Sequence, residues 1–348
     1  MKKDTRVFAS IGVDLGDEIA YYVCLDENGE PGERGQVKMT PAAMRKTFGS
    51  VRRTRIAIEA GAQSRWVSRE LEALGHEVIV ANPRQVKLIS ASTRKSDPAD
   101  ALLLARLARV DPGLLAPVEH RSEELQMDLV AVRARAQLVE CRTALMNALR
   151  GMAKTFGIRL PRITSERYAE RTLAQLPERL RERLAGLLGA VVALTEQVEA
   201  YDEQIERIAR ERYPETARLE EVPGVGTLTA ATFVLTIAEP RRFARSREVG
   251  GYVGLRPRQQ QSGARNPQLG ITKAGDRYLR TLLVQSAHCV LRRYAPDTAL
   301  KRWGLKLCER GGANAKKRAV VAVARKLAVL LHKLWVSETR YVAFPAAA

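Results

Sequence analysis

The chain has 348 residues, which gives room for two or three domains with substantial hydrophobic cores. Its formal net charge of +19 favours a polyanionic partner, with nucleic acid as the first candidate and an anionic membrane surface as the second. A secreted or membrane-spanning protein is not expected, because no apolar run approaches roughly 20 residues and the N-terminus lacks the apolar core of a signal peptide. We therefore expect a cytoplasmic protein.

Residues from about 6 to 110 alternate strand-like and helix-like patterns. The predicted strands cover about 6–14, 19–25, 36–39, 55–58 and 78–80. The predicted helices begin at Thr40-Pro41, run from about 64 to 74, and run from Asp97 to about Val110. The first two strands predict a hairpin, and the second of them stops at the turn residues 26–29. A hairpin followed by strands that alternate with helices predicts an α/β domain with a mixed sheet covered by helices.

Two carboxylates stand three residues apart in the sequence Lys-Ser-Asp-Pro-Ala-Asp-Ala, residues 95–101. Proline fits the first helical position, so we expect Asp97 to be the N-cap and Asp100 the third helical residue. Both side chains then lie near one face of the first turn. Taken alone, the pair also fits a capping box, in which the acids only satisfy free amides.

Two further acids fall at or near the ends of predicted apolar strands. Asp14 ends the first strand and Glu59 follows the strand 55–58. A strand that ends in a buried acid is costly unless a cation or a metal meets the charge. Asp14, Glu59, Asp97 and Asp100 could therefore converge on one divalent metal, and the alternative for each acid is a solvated strand end or a salt bridge.

The middle of the chain predicts long helices. Apolar residues at alternating steps of four and three mark one seam from Leu125 to Met146, in a helix over 122–152, and a second seam from Leu187 to Ile208, ending before Pro214. The segment 157–186 between them is expected to hold short helices and loops. The two seams could pack on each other within one chain or join two subunits. Two closing helices are predicted over 277–290 and 315–335.

A glycine-containing turn opens the C-terminal part. The sequence Val-Pro-Gly-Val-Gly, residues 222–226, precedes a helical pattern and is similar to the hairpin of helix-hairpin-helix modules. A tight turn with Gly224 and Gly226 exposes backbone amides, which suits a phosphate of the nucleic-acid backbone. A plain turn between two helices is the alternative.

The segment 241–280 is the most basic part of the chain, with ten basic side chains against two acidic ones. Its glycines and prolines predict that several arginines lie on loops, where they can clamp phosphates. Ser262 lies within this segment. A serine among guanidinium groups could attack a phosphodiester, although serines in loops are more often turn residues.

The acids at 14, 59, 97 and 100, with the motif at 95–101, resemble the DEDD tetrad of the insertion-sequence one-ten family of transposases. The runs 222–226 and 254–258, the pair Ser262-Gly263 and the run 270–280 are similar to the C-terminal transposase domain of that family. The likeness spans nearly the whole chain, and the order and spacing of the motifs are specific.

The resemblance implies a RuvC/RNase H-like mixed-sheet catalytic domain over 1–115, a coiled-coil and helical connector over 116–213, and a mostly helical C-terminal transposase domain over 214–348. It implies that the tetrad binds Mg²⁺ and that Ser262 forms a covalent link to a cut DNA end. The expected partners are donor and target double-stranded DNA, a structured guide RNA in at least part of the family, and further copies of the chain. The residues expected at nucleic acid are Gly224, Gly226, Arg256, Arg258, Arg265, Lys273, Arg277 and Arg280.

Two other functions fit parts of the same pattern. A metal-dependent nuclease or junction resolvase would use the tetrad and cut by water attack, without the serine. A basic coiled-coil scaffold would bind nucleic acid without any catalysis. Salt-sensitive binding is expected of all three functions and does not separate them.

Overall fold

The structure is a computed structural model, and it describes residues 6–84, 96–160, 168–262, 267 and 269–345. The chain divides into two compact units, Met1–His120 and Arg121–Ala348. The first unit is close in extent to the predicted domain 1–115. The long helices and the C-terminal helices belong together in the second unit.

Five strands form one sheet among the described residues of the first unit. They are β1 (Ser10–Leu15), β2 (Ile19–Leu25), β3 (Pro31–Lys38), β4 (Arg55–Glu59) and β5 (Glu77–Ala81). The strand order is β3-β2-β1-β4-β5, with β1, β2 and β3 antiparallel and with β4 parallel to both β1 and β5. The predicted mixed sheet is therefore confirmed, and so is the hairpin that begins it.

Helices cover both faces of this sheet. They are α1 (Pro41–Phe48), α2 (Ser64–Ala73) and α3 (Asp97–Val110). Ile56 and Ile58 of β4 belong to one apolar cluster, with side chains of α1 and α2. Ala57, which alternates with them, belongs to a second cluster with Leu104 of α3. The short strand β4 is thus buried on both faces, which is why its sequence is continuously apolar.

Two long helices dominate the beginning of the second unit. They are α4 (Glu123–Lys154) and α6 (Glu178–Arg212), with the short helix α5 (Tyr168–Leu173) between them. The long helices pack on each other within the chain, which decides between the two arrangements left open by the seams. Helix α6 begins at Glu178, so the expected connector up to residue 186 was too long. The predicted seam also fails at Thr143, which is exposed.

Within the described ranges, α6 is long and apolar enough by composition to be a candidate membrane span. The sequence expectation concerned an uninterrupted apolar run of roughly 20 residues, and α6 does not contain one, because Arg183 and Glu196 bound its apolar stretch. Val191 and Ile205 of this helix are buried in apolar clusters shared with α4, which is the behaviour of a core helix in a helical pair.

The remaining helices of the second unit surround one large apolar core. They are α7 (Glu215–Glu220), α8 (Thr227–Ile237), α9 (Val249–Tyr252), α10 (Arg277–Val290), α11 (Ala299–Cys308) and α12 (Ala315–Ser337). Both predicted closing helices are confirmed as α10 and α12. Phe233, Leu283 and Leu327 join α8, α10 and α12 in the core. A second cluster joins Leu129 of α4 to Leu235 of α8, so the long helices and the C-terminal helices share packing.

Candidate active site

Asp14 and Glu59 lie at the same edge of the sheet. Strands β1 and β4 are parallel neighbours, and the last pair in their register is Val13 opposite Ile58. Asp14 and Glu59 are the next residues on each strand, so both stand at the carboxyl ends of adjacent parallel strands. Both residues are half-buried.

Helix α3 brings its first turn to this edge because it runs antiparallel to β1. Near its middle, the Ala105 carbonyl accepts a hydrogen bond of 2.8 Å from the Ser10 hydroxyl, at the start of β1. Near its end, the Ala108 carbonyl accepts a hydrogen bond of 3.1 Å from Arg55, at the start of β4. The beginning of α3 therefore points toward the carboxyl ends of both strands, where Asp14 and Glu59 lie.

Gly12 allows α3 to approach the sheet closely. A Cβ atom at Gly12 would lie 2.0 Å from the carbonyl oxygen of Ala101 and 2.4 Å from the amide nitrogen of Ala105. Residues 12 and 14 share a face of β1, as alternate residues of a strand do. The helix that carries Asp97 and Asp100 consequently covers the face of β1 to which Asp14 belongs.

The start of α3 differs from the prediction by one residue. The N-cap is Ser96, not Asp97, because Ser96 is extended and its carbonyl accepts hydrogen bonds from the amides of Ala99 and Asp100, at 2.9 and 3.0 Å. Asp97 is the first helical residue and Asp100 the fourth, so the two side chains are still neighbours on the helix surface. Asp97 is exposed and Asp100 is half-buried.

Four carboxylates from three elements are the oxygen ligands that Mg²⁺ or another divalent cation prefers. Among the residues that the structure describes, however, no three His, Cys, Asp or Glu side chains are close enough together to hold a metal ion. The residues therefore fit a divalent cation in type and in their place along the sheet edge. For three of these acids to bind one ion, their side chains would have to move closer together.

Ser262 lies on a hairpin in the second unit. Residues 254–258 run antiparallel to residues 270–273, and the two segments exchange backbone hydrogen bonds of 2.9 to 3.0 Å through Gly254, Arg256 and Arg258. We call the paired segments 254–258 and 270–273, together with residues 259–262 that follow the first of them, the serine hairpin. Ser262 stands between its two paired segments and is exposed. The prediction that arginines of this region lie outside regular helices is confirmed for Arg256 and Arg258.

Two glycines make the base of the serine hairpin compact. Gly254 and Gly275 both have positive φ, at 74° and 67°. A Cβ at Gly254 would lie 2.2 Å from the Ala274 carbonyl oxygen, and a Cβ at Gly275 would lie 2.0 Å from that of Tyr252. The two ends of the hairpin therefore touch through backbone atoms, which only glycine permits at these positions.

Arg280 also holds this base together. Its guanidinium donates hydrogen bonds to the carbonyls of Ala274 at 2.8 Å and Val253 at 3.2 Å, so it joins the two ends of the serine hairpin. Arg280 is half-buried, and its predicted contact with nucleic acid stays a prediction beside these internal hydrogen bonds. The sequence holds no local signal for this role, because the carbonyls belong to residues up to 27 positions away.

The other residues expected at nucleic acid are mostly at the surface. Arg256, Arg258, Lys273, Arg277, Gly224 and Gly226 are exposed, and Arg265 lies outside the described residues. The order α7, turn and α8 agrees with both the helix-hairpin-helix interpretation and the plain turn between two helices. Gly224 has a φ of 87°, and a Cβ there would lie 2.9 Å from the Ser286 carbonyl oxygen, so it packs the turn on α10.

Sequence comparisons connect both regions to one protein family. Residues 11–157 match a DEDD transposase profile of the IS110 type, and residues 216–302 match the profile described as transposase IS116/IS110/IS902 family. The chain is 31% identical over 338 residues to a probable family 20 transposase of Pseudomonas aeruginosa, covering 95% of this chain and 98% of the relative. The chain belongs to the IS110/IS116/IS902 transposase family.

Further insertion-sequence transposases show the same extent of likeness. The transposase of element IS1111A from Coxiella burnetii is 30% identical over 347 residues, covering 97% of this chain and 92% of the relative. That of element IS1328 from Yersinia enterocolitica is 29% identical over 351 residues, covering 96% and 98%. This transposase is thus an enzyme that acts on DNA by cutting and rejoining it, so a purely structural scaffold is excluded. All four acids fall within the first matched segment, and Ser262 falls within the second.

Proposed function

We propose that this transposase exchanges DNA strands with a divalent cation, Mg²⁺, held by Asp14, Glu59, Asp97 and Asp100, and with Ser262 as the nucleophile. The observation that carries the proposal is the shared sheet edge: Asp14 is the second-last residue of β1, Glu59 ends the neighbouring parallel strand β4, and the N-terminal end of α3, with two more acids, points toward them. The mixed sheet with helices on both faces supports a RuvC/RNase H-like catalytic domain over 1–115. The connector would be 116–213 and the domain with the serine 214–348.

The bound cation would polarise the phosphate and stabilise the charge on the leaving oxygen. The Ser262 hydroxyl loses its proton as its oxygen forms a bond to phosphorus. The bond between phosphorus and one DNA oxygen breaks, and that oxygen takes up a proton. One phosphate ester replaces another, so the protein-linked DNA end can be joined to a new strand without an external energy source.

Trapping the DNA-linked protein tests the serine. The full-length transposase is incubated with Mg²⁺ and DNA from the ends of its own element, and then denatured and separated by size. We expect a protein–DNA adduct that Ser262→Ala and Asp14→Asn both abolish. Cleavage without an adduct, unaffected by Ser262→Ala, would instead support a nuclease or resolvase that uses water.

The acids and the serine belong to different units, and we propose that the active site is completed between subunits of a homo-oligomer. Such an arrangement keeps an unassembled chain from cutting DNA. Mixing Ser262→Ala with Asp14→Asn should restore activity, because each variant supplies the group that the other lacks. Recovery no greater than that of either variant alone would contradict a shared site.

We also propose that a structured RNA guides the transposase to its donor and target DNA in the cytoplasm. The charge of +19 supports more than one polyanionic partner. Purifying the transposase from its host and sequencing the nucleic acid that accompanies it tests this directly. We expect one enriched RNA encoded in or beside the element, and a random sample of cellular RNA would contradict the proposal.

A further inference from the structure

Two arginines of the long helix α4 contact the segment that follows the serine hairpin. Arg133 forms an ion pair with Asp276, and Arg135 donates a hydrogen bond of 3.5 Å to the Tyr278 hydroxyl. Asp276 directly follows Gly275, whose backbone contacts Tyr252 at the base of the hairpin. The helix pair is therefore joined to the base of the serine hairpin by side chains about 140 positions apart in sequence.

Asp276 has two roles at this junction. One of its carboxylate oxygens caps α10 by accepting a hydrogen bond of 2.8 Å from the Leu279 amide, and the other pairs with Arg133. Its side chain is only 10% exposed, so the ion pair compensates for much of the cost of removing the carboxylate from water. A charge-assisted bond of this kind fixes position more strongly than a bond between neutral groups.

Arg135 is held in place by α6, so a second fixed side chain lies beside the ion pair of Arg133 with Asp276. It makes two hydrogen bonds with the Asp202 carboxylate of α6, at 2.9 and 3.1 Å. Burial alone would lower the pKa of Arg135, but the hydrogen bond that Arg135 donates to Asp202, the negative charge of Asp202 and the interaction with Tyr278 together outweigh it, and the pKa is raised. The guanidinium therefore stays charged and connects α4, α6 and Tyr278.

We propose that Arg133 is a positioning residue: through Asp276 it fixes the base of the serine hairpin to the pair of long helices, and so it orients Ser262. The inference rests on the proposed role of Ser262 and deepens it. Displacement of a reacting group by about 1 Å can slow a reaction by up to about a hundredfold, so the orientation of the hairpin affects the rate.

A kinetic experiment on the full-length transposase tests the inference. We expect Arg133→Gln to form the Ser262–DNA adduct about tenfold more slowly at saturating DNA, with its affinity for DNA changed by less than about twofold. Arg133→Lys should restore most of the rate, because it retains a cation for Asp276. Arg207→Gln is the matched control: it removes one exposed arginine from α6 and should leave both quantities unchanged. An Arg133→Gln adduct rate equal to that of the unmodified protein would overturn the inference.

A second measurement reports the hairpin position without any chemistry. Spin labels are placed at the exposed Cys141 of α4 and at Ser262→Cys, in a chain that also carries Cys289→Ser and Cys308→Ser; Cys24 is buried. We expect Arg133→Gln, and not Arg207→Gln, to broaden the distribution of distances between the labels. An unchanged distribution would overturn the inference. A broadened distribution, combined with no adduct from the unlabelled protein that retains Ser262, would refute only the serine chemistry.

Discussion

Asp14 and Glu59 stand at the ends of buried strands, whereas Ser262 stands on an exposed hairpin that is fixed at its base. The acids are placed by sheet register and by a helix packed on the sheet, so a large apolar core determines their position. The serine is placed by backbone contacts at two glycines, by Arg280 and by the ion pair from α4. The serine that we propose as the nucleophile is thus held by a few polar contacts, while the acids that we propose to hold an ion are held by a core.

We call the sheet edge that carries Asp14 and Glu59, with the first turn of α3, the acid edge, and the close contact between α3 and β1 is its most sensitive point. Gly12→Ala places a methyl group 2.0 Å from the Ala101 carbonyl oxygen, so the helix must move away from the sheet. We expect a loss of about 3 kcal/mol in the unfolding free energy of the first unit. The urea midpoint at which the Cys24 thiol becomes reactive measures this loss, because Cys24 is buried in the same unit.

Gly61→Ala is the control for this substitution. Among the described residues no heavy atom lies within 4 Å of a Cβ at Gly61, which is in the same unit. Its urea midpoint should stay close to that of the unmodified protein. Equal effects of the two substitutions would show that the contact between α3 and β1 does not hold the acid edge.

A substitution at the base of the serine hairpin should cost less stability than Gly12→Ala. Gly275→Ala combines a φ of 67° with a Cβ only 2.0 Å from the Tyr252 carbonyl oxygen. We expect a cost of about 2 kcal/mol, expressed as local opening of the hairpin while the apolar core of the second unit persists. Hydrogen exchange at the Thr272 and Lys273 amides should accelerate, since these amides pair with Arg256 and Gly254. Gly270→Ala, at a glycine whose Cβ position has no described atom within 4 Å, should change little.

The sequence predicted the acid edge better than the serine hairpin for a physical reason. Strand and helix patterns follow from local periodicity, and the rule that parallel strands end at one edge then places Asp14 beside Glu59. The start of α3 was misplaced by one residue because Ser96 and Asp97 are equally good N-caps in sequence. The internal role of Arg280 and the ion pair of Arg133 with Asp276 depend on contacts between distant residues, and no local pattern encodes them.

Removing the internal arginine should weaken the hairpin base less than the glycine substitution does. Arg280→Met keeps the length of the side chain but loses the hydrogen bonds to the carbonyls of Ala274 and Val253. We expect a cost of about 1 to 2 kcal/mol, seen as faster hydrogen exchange at the same two amides. The control is Arg292→Met, at an exposed arginine of the same unit. Equal hydrogen-exchange rates in the two variants would show that Arg280 does not stabilise the base of the serine hairpin. That result would favour the predicted contact of Arg280 with nucleic acid.

The last prediction is a pH dependence of stability that belongs to the first unit. Burial of the Cys24 thiol, together with a smaller contribution from the charge of Glu33, raises its pKa to about 12. The unfolded chain releases this proton at lower pH than the folded chain, so stability is fully present below about pH 9 and falls as the pH rises toward 12. Cys24→Ala should flatten this part of the curve of unfolding free energy against pH, without changing exchange at the serine hairpin. A curve for Cys24→Ala that kept its slope would show that another group is responsible for the alkaline loss of stability.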